Sequence, residues 1–485
     1  MNGGGQRVQR IALFGKGHAL WPVAALLVQN LPPDIELIAV EEPEDADPVA
    51  ITIRLDDPLL LQLGIGAQDL HAASSAIFSL GTELRDLCGD GSRYFLTGSG
   101  DLPDVENIAI HQIMLRAALI YDQPDRLAYL YRPFRLPARA AEAGKFALQS
   151  SDPRSPLSML RPTVQMDRTD YAALLKKGIP SKRMERVEAR PKAAHTASAA
   201  GIIEGIELDN ALMVKADLYI DVSGALSGLA GADSQSDWNS MSGGIPFDRR
   251  LTVEGLETRL QRERHAVATA MEGGLLISTP LRETSVTELL YASNALADDA
   301  EQTWIGNGAK ADSFAPGYIS RPWAGNLLRL GRASSCFGPF LSADMTILQH
   351  QAVLLSRHLP VHLDMTVEAR EFNRRHLIVA EQIRDFVQLP FALNRRDDAP
   401  WASARESNLP DSLAIRLQQF RSRGRFVAFE GEIFDAQSWI DLMIGFGLVP
   451  ERYDPMAQSL DMTNMARRLK KLTMAFDHAL AAIPE

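Results

Sequence analysis

The chain has 485 residues and a formal net charge of −11, from 50 Lys and Arg against 61 Asp and Glu. Hydrophobic residues make up 46% and charged residues 23%, which excludes a disordered, collagen-like or disulfide-scaffold protein and leaves ample material for a buried core. The acidic balance argues against sequence-independent nucleic-acid binding, which needs a basic footprint. Two cysteines, Cys88 and Cys336, exclude a disulfide framework and fit a reducing compartment. At roughly 150 residues per domain, two to four structural units are expected.

In chain order, the first ten residues are polar and lack the ~7–15-residue apolar core of a secretory signal. The apolar run Ala19–Val28 contains Pro22 and falls short of the ~20 residues that span a bilayer. Asn2 stands where myristoylation needs glycine. The expectation is a cytoplasmic protein with no membrane contact. Residues 10–41 read as a β-α-β unit: an apolar strand Ile11–Phe14, a turn at Gly15-Lys16-Gly17, a helix from Trp21 to Asn30 stopped at Leu31-Pro32-Pro33, and a strand Glu36–Val40. Residues 56–76 read as helix broken at Leu63-Gly64-Ile65-Gly66, and 107–122 as an apolar-periodic helix. The Ala-, Ser- and Pro-rich stretch 138–162 reads as loop. Tyr171–Lys177 reads as helix; Arg183–Glu188, Gly201–Leu208 and Leu212–Asp221 read as strands. Strand and helix are expected to alternate from 246 to about 345, and helices to dominate afterwards, near 345–358, 366–390, 409–420 and 463–482. In the last, Met465, Leu469, Leu472 and Phe476 form an apolar stripe that predicts core packing.

Gly15-Lys16-Gly17-His18-Ala19-Leu20 carries two of the three glycines of a dinucleotide-binding turn, with Leu20 at the third. Glu41, after the second strand, suits the ribose of an adenosine. Downstream, Ala216 to Gly224 is a strand ending in Ser-Gly after an acidic residue, a pattern found where a flavoprotein chain passes beside FAD. A strand–turn–helix that binds nothing is the competing reading of both. His358 and His362 have metal-like spacing, but Pro360 between them spoils the helix that would align them, so no metal site is expected. The basic stretch from Lys176 to Lys192 reads as a solvated face.

Several stretches together resemble the flavin-dependent tryptophan halogenase family. They are Ile77-Phe78-Ser79-Leu80-Gly81, then Trp323-Ala324-Gly325-Asn326 with Gly331-Arg332-Ala333 and Gly338-Pro339-Phe340-Leu341-Ser342. Ile383-Arg384-Asp385-Phe386, Arg396 to Trp401, and Trp439, Gly445, Gly447, Pro450 and Tyr453 continue the likeness almost to the end. The resemblance implies an α/β fold: an FAD-dependent monooxygenase-like, Rossmann-type module over 1–345, and a mostly helical substrate module over 346–485. It places Gly15, Gly17, Glu41, Gly331 and Ala333 at the cofactor. In that family, reduced FAD, oxygen and halide give a hypohalous acid. A lysine near the substrate receives it, a glutamate assists, and an electron-rich ring such as indole is halogenated.

Four departures stand out. The lysine position is Ser79, a neutral hydroxyl that cannot form a chloramine. The glutamate position is Leu341, which can neither accept nor donate a hydrogen bond. The family's paired tryptophans become Leu275 and Ile277. The halide-holding Thr-Gly pair becomes Ala343-Asp344, whose carboxylate is expected to oppose an anion. The expectation is therefore a halogenase-like chain without catalytic residues of its own, in which FAD binding is weak or lost. It would act as a binding or partner protein, with an apolar small molecule in the former substrate chamber, or as a homodimer or complex with a related halogenase. A flavin-dependent monooxygenase of altered chemistry is the alternative, and a halogenase with relocated groups the third reading.

Overall fold

The computed structural model describes residues 6–43, 49–99, 102–197, 202–229, 237–254, 264–296, 298–306 and 308–483. Residues 1–5 of the polar N-terminal stretch, Asn2 among them, and Gly201 lie outside the described residues. Strand β1 (Arg10–Gly15) is buried along nearly its whole length, as an interior parallel strand must be. It pairs in parallel with β2 (Glu36–Glu41) on one side and with Leu218–Asp221 on the other. Glu185–Glu188 extends the sheet beyond β2, Leu327–Arg329 extends it at the other side, and Trp323–Ala324 closes that edge as an antiparallel neighbour. Helix α1 (Gly17–Asn30) makes the crossover from β1 to β2. The expected parallel, Rossmann-type module is therefore present, with β1 at its centre. The strand read over 212–221 is interrupted: Met213–Val214 belongs to a small antiparallel sheet, and only Leu218–Asp221 enters the parallel one.

After residue 246 the expected alternation of strand and helix is replaced by antiparallel strands. Arg249–Glu254, Ala266–Met271, Gly274–Pro280 and Ser285–Tyr291 precede the helix Asp298–Gly306. Gly274–Pro280 and Ser285–Tyr291 are buried on both faces, so neither shows the period-two pattern that marks a half-exposed strand. These strands belong to a seven-stranded sheet that ends in β5 (Thr82–Arg85) and the edge strand β6 (Arg93–Leu96). A third sheet sets β3 (Ala50–Arg54) and β4 (Ile77–Ser79) on either side of Thr163–Asp167. The chain leaves β4 at Ser79 and enters β5 at Thr82, passing from one sheet to another within two residues. Gly81 makes this possible: a Cβ there would lie 2.2 Å from the Leu96 carbonyl oxygen.

The C-terminal part is helical, with Ala343–Arg357, Thr366–Leu393, Asp411–Arg423 and Met462–Ala482 close to the expected spans. Three helices among the described residues there escaped the sequence reading, Ala399–Glu406, Pro455–Gln458 and Ala436–Gly445. The last is buried over eight of its ten residues, its polar Gln437, Ser438 and Asp441 included, so its polar positions do not mark an exposed face. Leu136–Glu142, inside the stretch read partly as loop, is also a helix, with Pro137 in its first turn. Met465, Leu469 and Phe476 are buried as the stripe predicted. One core cluster runs from Leu84, Leu275 and Phe340 to Phe391, Trp401 and Trp439, so residues on both sides of position 345 share it. No helix among the described residues is long and apolar enough to cross a membrane.

Candidate functional site

The two glycines of the N-terminal turn sit where β1 ends and α1 begins. A Cβ on Gly15 would lie 2.1 Å from Val222 Cγ2, so only glycine lets the strand end pass against residue 222. Lys16 is the N-cap of α1 and provides no side-chain cap, and the first turn holds no acidic residue. The first turn of α1 therefore presents the positive end of the helix dipole beside Lys16 and His18, which line the cavity described below. Leu20, at the position of the third glycine, is fully buried among the apolar residues of α1 and its neighbours, so its side chain is absorbed by the core. Gly331 lies beside this turn with φ +50°, and its N–H donates to Gln351 Oε1 at 2.7 Å. Gln351 Nε2 in turn donates to Ser334 Oγ at 2.8 Å and pairs with His376 Nδ1 at 3.0 Å. Ala333 is buried and packs near Gly224.

Glu41 differs from the sequence expectation. Its carboxylate accepts from Trp21 Nε1 and from Lys176 Nζ, each at 2.7 Å. Both oxygens are committed, and Glu41 is not part of the cavity wall described below. Lys176 and Arg186 also stand over the Trp21 ring at 4.8 and 5.0 Å, so the basic stretch is partly packed rather than wholly solvated. The acidic strand end behaves as a local cap. Asp221 accepts from the backbone amides of Ser223, Gly224, Leu226 and Ser227, and burial pushes its carboxyl above the usual range.

A cavity of about 550 Å³ joins this turn to the antiparallel sheet. Lys16, His18, Val222, Ser223 and Gly331 line one end. Arg332, Leu341, Ser342 and Asp344 form part of its wall. Its floor is one face of the seven-stranded sheet, where Ala268, Ile277, Glu288, Thr252 and Lys310 follow one another across five strands. The floor is apolar at Ala266, Ala268 and Ile277, and charged beyond them. Arg250 reaches Glu288 Oε1 at 3.5 Å and Asp312 Oδ2 at 2.8 Å. Burial raises the Glu288 carboxyl, against the lowering effect of Arg250. Sequence reasoning missed Arg250 and Glu288; a charge inside an otherwise apolar strand was the available signal.

The positions that the sequence resemblance pairs with the family's lysine, glutamate and halide-holding residues are arranged as follows. Ser79 is 2% exposed and its Oγ donates to the Gly81 carbonyl at 2.9 Å, closing on its own turn. Leu341 and Ser342 both take left-handed backbone conformations, φ +57° and +56°, which cost ~1–3 kcal/mol each in a non-glycine residue. Asp344, expected to oppose an anion, lines the cavity but is not a bare charge. Its Oδ1 accepts from the Phe337 and Gly338 amides at 2.7 and 3.1 Å. Burial raises this carboxyl, and the neighbouring Arg332 opposes the rise. The two tryptophan replacements part company: Ile277 lines the cavity, whereas Leu275 is sealed in the core cluster. Between that strand and the C-terminal helices stand Phe247, Phe391 and Trp401, with ring centroids 5.5–5.7 Å apart.

The remaining candidates are structural. Among the described residues, no group of three or more His, Cys, Asp or Glu could hold a metal ion. His358 Nδ1 bonds to the Leu354 carbonyl at 2.8 Å as its helix ends. Cys336 is buried, with its thiol pushed up to about 12 by burial, and Cys88 is half-buried.

The cavity can be tested for a flavin dinucleotide on its own donors. An uncapped helix N-terminus together with Lys16 and His18 suits a pyrophosphate. The end near Glu41 offers less to an adenosine. The family model for tryptophan halogenases matches residues 10–462. The tryptophan 7-halogenase KtzQ of Kutzneria sp. (strain 744) is 24% identical over 290 residues, 53% of this chain and 54% of that one. The chain thus spans about half the length of that curated relative. BrvH, a flavin-dependent halogenase from Brevundimonas sp. BAL3, is 26% identical with a TM-score of 0.88, covering 99% of this chain and 98% of its own. Xcc4156, a flavin-dependent halogenase from Xanthomonas campestris, is 25% identical with the same TM-score of 0.88, covering 99% and 97%. By the span of the family match and the likeness of fold, this chain belongs to the tryptophan halogenase family.

Proposed function

We propose that this member holds a flavin weakly and does not halogenate, serving instead as a binding or partner protein. The observation that carries this is Ser79: the side chain at the halogen-transfer position is a hydroxyl turned back onto Gly81. Leu341 adds an apolar wall where a carboxylate would assist. Lys16, His18 and the start of α1 would hold the cofactor's pyrophosphate, and Gly331 with Arg332 would flank the ring. A reduced flavin bound there would supply activation of dioxygen. Weak binding follows from Glu41, whose oxygens are taken by Trp21 and Lys176. Titration with FAD, followed by flavin fluorescence, should give a dissociation constant in the micromolar range or weaker; a sub-micromolar value overturns this part. Incubation of tryptophan or indole with FAD, a flavin reductase, NADH and bromide should give no halogenated product by mass spectrometry. Many turnovers of product overturn the central claim. For the partner role, light scattering should show a homodimer, or a complex when a related halogenase is added, and monomers throughout would remove it. The expected compartment is the cytoplasm.

A second reading, oxygenation of a small molecule, is favoured by the cavity itself. Its floor keeps a buried carboxyl, Glu288, with an elevated pKa beside Arg250. A carboxyl raised by burial is the kind of group that serves as a proton donor to a reacting oxygen. Flavin-dependent oxygen uptake with a product one oxygen atom heavier would establish this reading in place of the first.

A further inference from the structure

Strand β5 separates two cavities. Thr82 and Ala266, which are paired across the sheet, face the cavity described above. Their neighbours Glu83 and His265 point the other way, because successive side chains alternate between faces. They line a second, wider cavity of about 1040 Å³ at the edge strand β6. Its wall carries Arg93, Arg132, Arg135 and Arg264 against Glu83 and Glu142, an excess of positive charge in a protein whose net charge is −11. Tyr129, 63% exposed with Arg126 5.0 Å over its ring, supplies most of the aromatic surface, Tyr94 is half-buried beside it, and Phe95 is buried behind.

The parts of this wall are fixed to different degrees. Arg135 is held by Asp441 at 2.8 Å and lies 4.1 Å over the Tyr94 ring. Glu83 stands between Arg85, Arg93 and His265, with its pKa lowered to about 2 by those partners against its burial. His265 meets the Phe95 ring edge-on at 4.7 Å. These groups form a rigid base. Arg93, 3.3 Å from Glu83, and Arg132, 2.7 Å from Glu142, are each more than half exposed and stand at the rim with the exposed Arg264. A guanidinium fork matches a carboxylate in two parallel hydrogen bonds, and its plane stacks on rings. An aromatic wall under a cationic rim therefore selects a flat ring that carries an acid group.

We propose that this second cavity is a binding site for an aromatic carboxylate, anchored by Arg93 and Arg264 at the rim with its ring against Tyr94 and Tyr129. The site stands whether or not the chain binds flavin, and its test uses no flavin.

The probe is 2-naphthoate, titrated calorimetrically into the purified full chain at low salt. 2-Naphthylmethylamine serves as the cationic counterpart of the same ring. Naphthoate should bind at one site, and the amine at least about tenfold more weakly, because its charge meets the arginines unfavourably. Arg264→Ala and Arg93→Ala should each weaken naphthoate by about threefold to tenfold, the scale of a partly exposed charge contact. Ile277→Trp, which fills the other cavity, should leave it unchanged. Thermal melting confirms that each variant is folded. The proposal is overturned if naphthoate does not bind, if the amine binds as well, or if Ile277→Trp weakens binding while the arginine variants do not.

Discussion

The two ends of the flavin-type cavity depend on different parts of the chain. At the nucleotide end the work is done by backbone: Gly15 lets Val222 approach, Gly331 takes a positive φ, and the N-terminus of α1 presents amides. At the other end the wall is made of side chains, Leu341 and Asp344 among them, and Ser79, which the resemblance pairs with the family's lysine, is buried outside the cavity lining. A site made of backbone survives divergence as long as the fold does. A site made of side chains can be lost by single substitutions without disturbing the packing. Leu341 and Ser342 hold a strained turn here although neither carries a carboxylate.

The sharpest way to break the comparison is at the nucleotide end. Gly15→Ala should destabilise the protein by about 3 kcal/mol or more in urea unfolding, because the new methyl would meet Val222 Cγ2 at 2.1 Å. A loss under about 1 kcal/mol would mean that the strand end can yield, and that the backbone there is less constrained than argued.

The clamp behind Gly331 predicts a pH effect of similar size. His376 is fully buried, its Nε2 bonds the Ile319 carbonyl at 3.0 Å, and burial lowers its pKa to about 4. The unfolded chain protonates this imidazole near pH ~6.5. Between ~6.5 and about 4 the unfolded state binds more protons, so stability falls as the pH drops through that window. The contribution of this one group is about 3 kcal/mol, full above pH ~6.5 and lost by about pH 4. Urea unfolding of the wild type and of His376→Gln at pH 7 and pH 4.5 isolates it; an identical pH dependence in the two would remove His376 as the cause.

At the halogen-transfer end, Asp344→Asn should cost less, about 1–2 kcal/mol. It keeps an oxygen for the Phe337 and Gly338 amides but removes the charge that balances Arg332. A stabilised variant would show that the carboxyl is already protonated and its charge unused. The smallest effect is expected from Ser79→Lys. It should give no halogenated indole above background in the coupled assay, since Leu341 and Asp344 remain. Activity in that single variant would show that the side-chain end is intact but for one residue.

Much of the fold was legible because its signals are local. The strand, glycine turn and helix of residues 10–30 lie next to one another, and apolar periodicity marks Met465, Leu469 and Phe476. What was not legible depends on neighbours far apart in sequence. Arg250 and Glu288 meet only because two strands pair, and helix Ala436–Gly445 buries even its polar Gln437 and Asp441, so polarity there does not mark a solvent face. The turn of Asp344 toward Phe337 depends on two left-handed residues before it, neither of them glycine. At Glu41 the sequence showed an acidic residue in the right place but could not show Trp21 and Lys176 occupying it.

The single thickness of β5 between the two cavities has a consequence for how such a protein can change. Because side chains alternate along a strand, inserting or deleting one residue before Thr82 would exchange the linings. Glu83 would turn into the flavin-type cavity and Thr82 into the arginine-rich one. Two chambers would be rewired by one indel, with no new side chain made. The tight crossing at Gly81, where a Cβ would strike the Leu96 carbonyl, is what forbids that slip and keeps each chamber's chemistry on its own side.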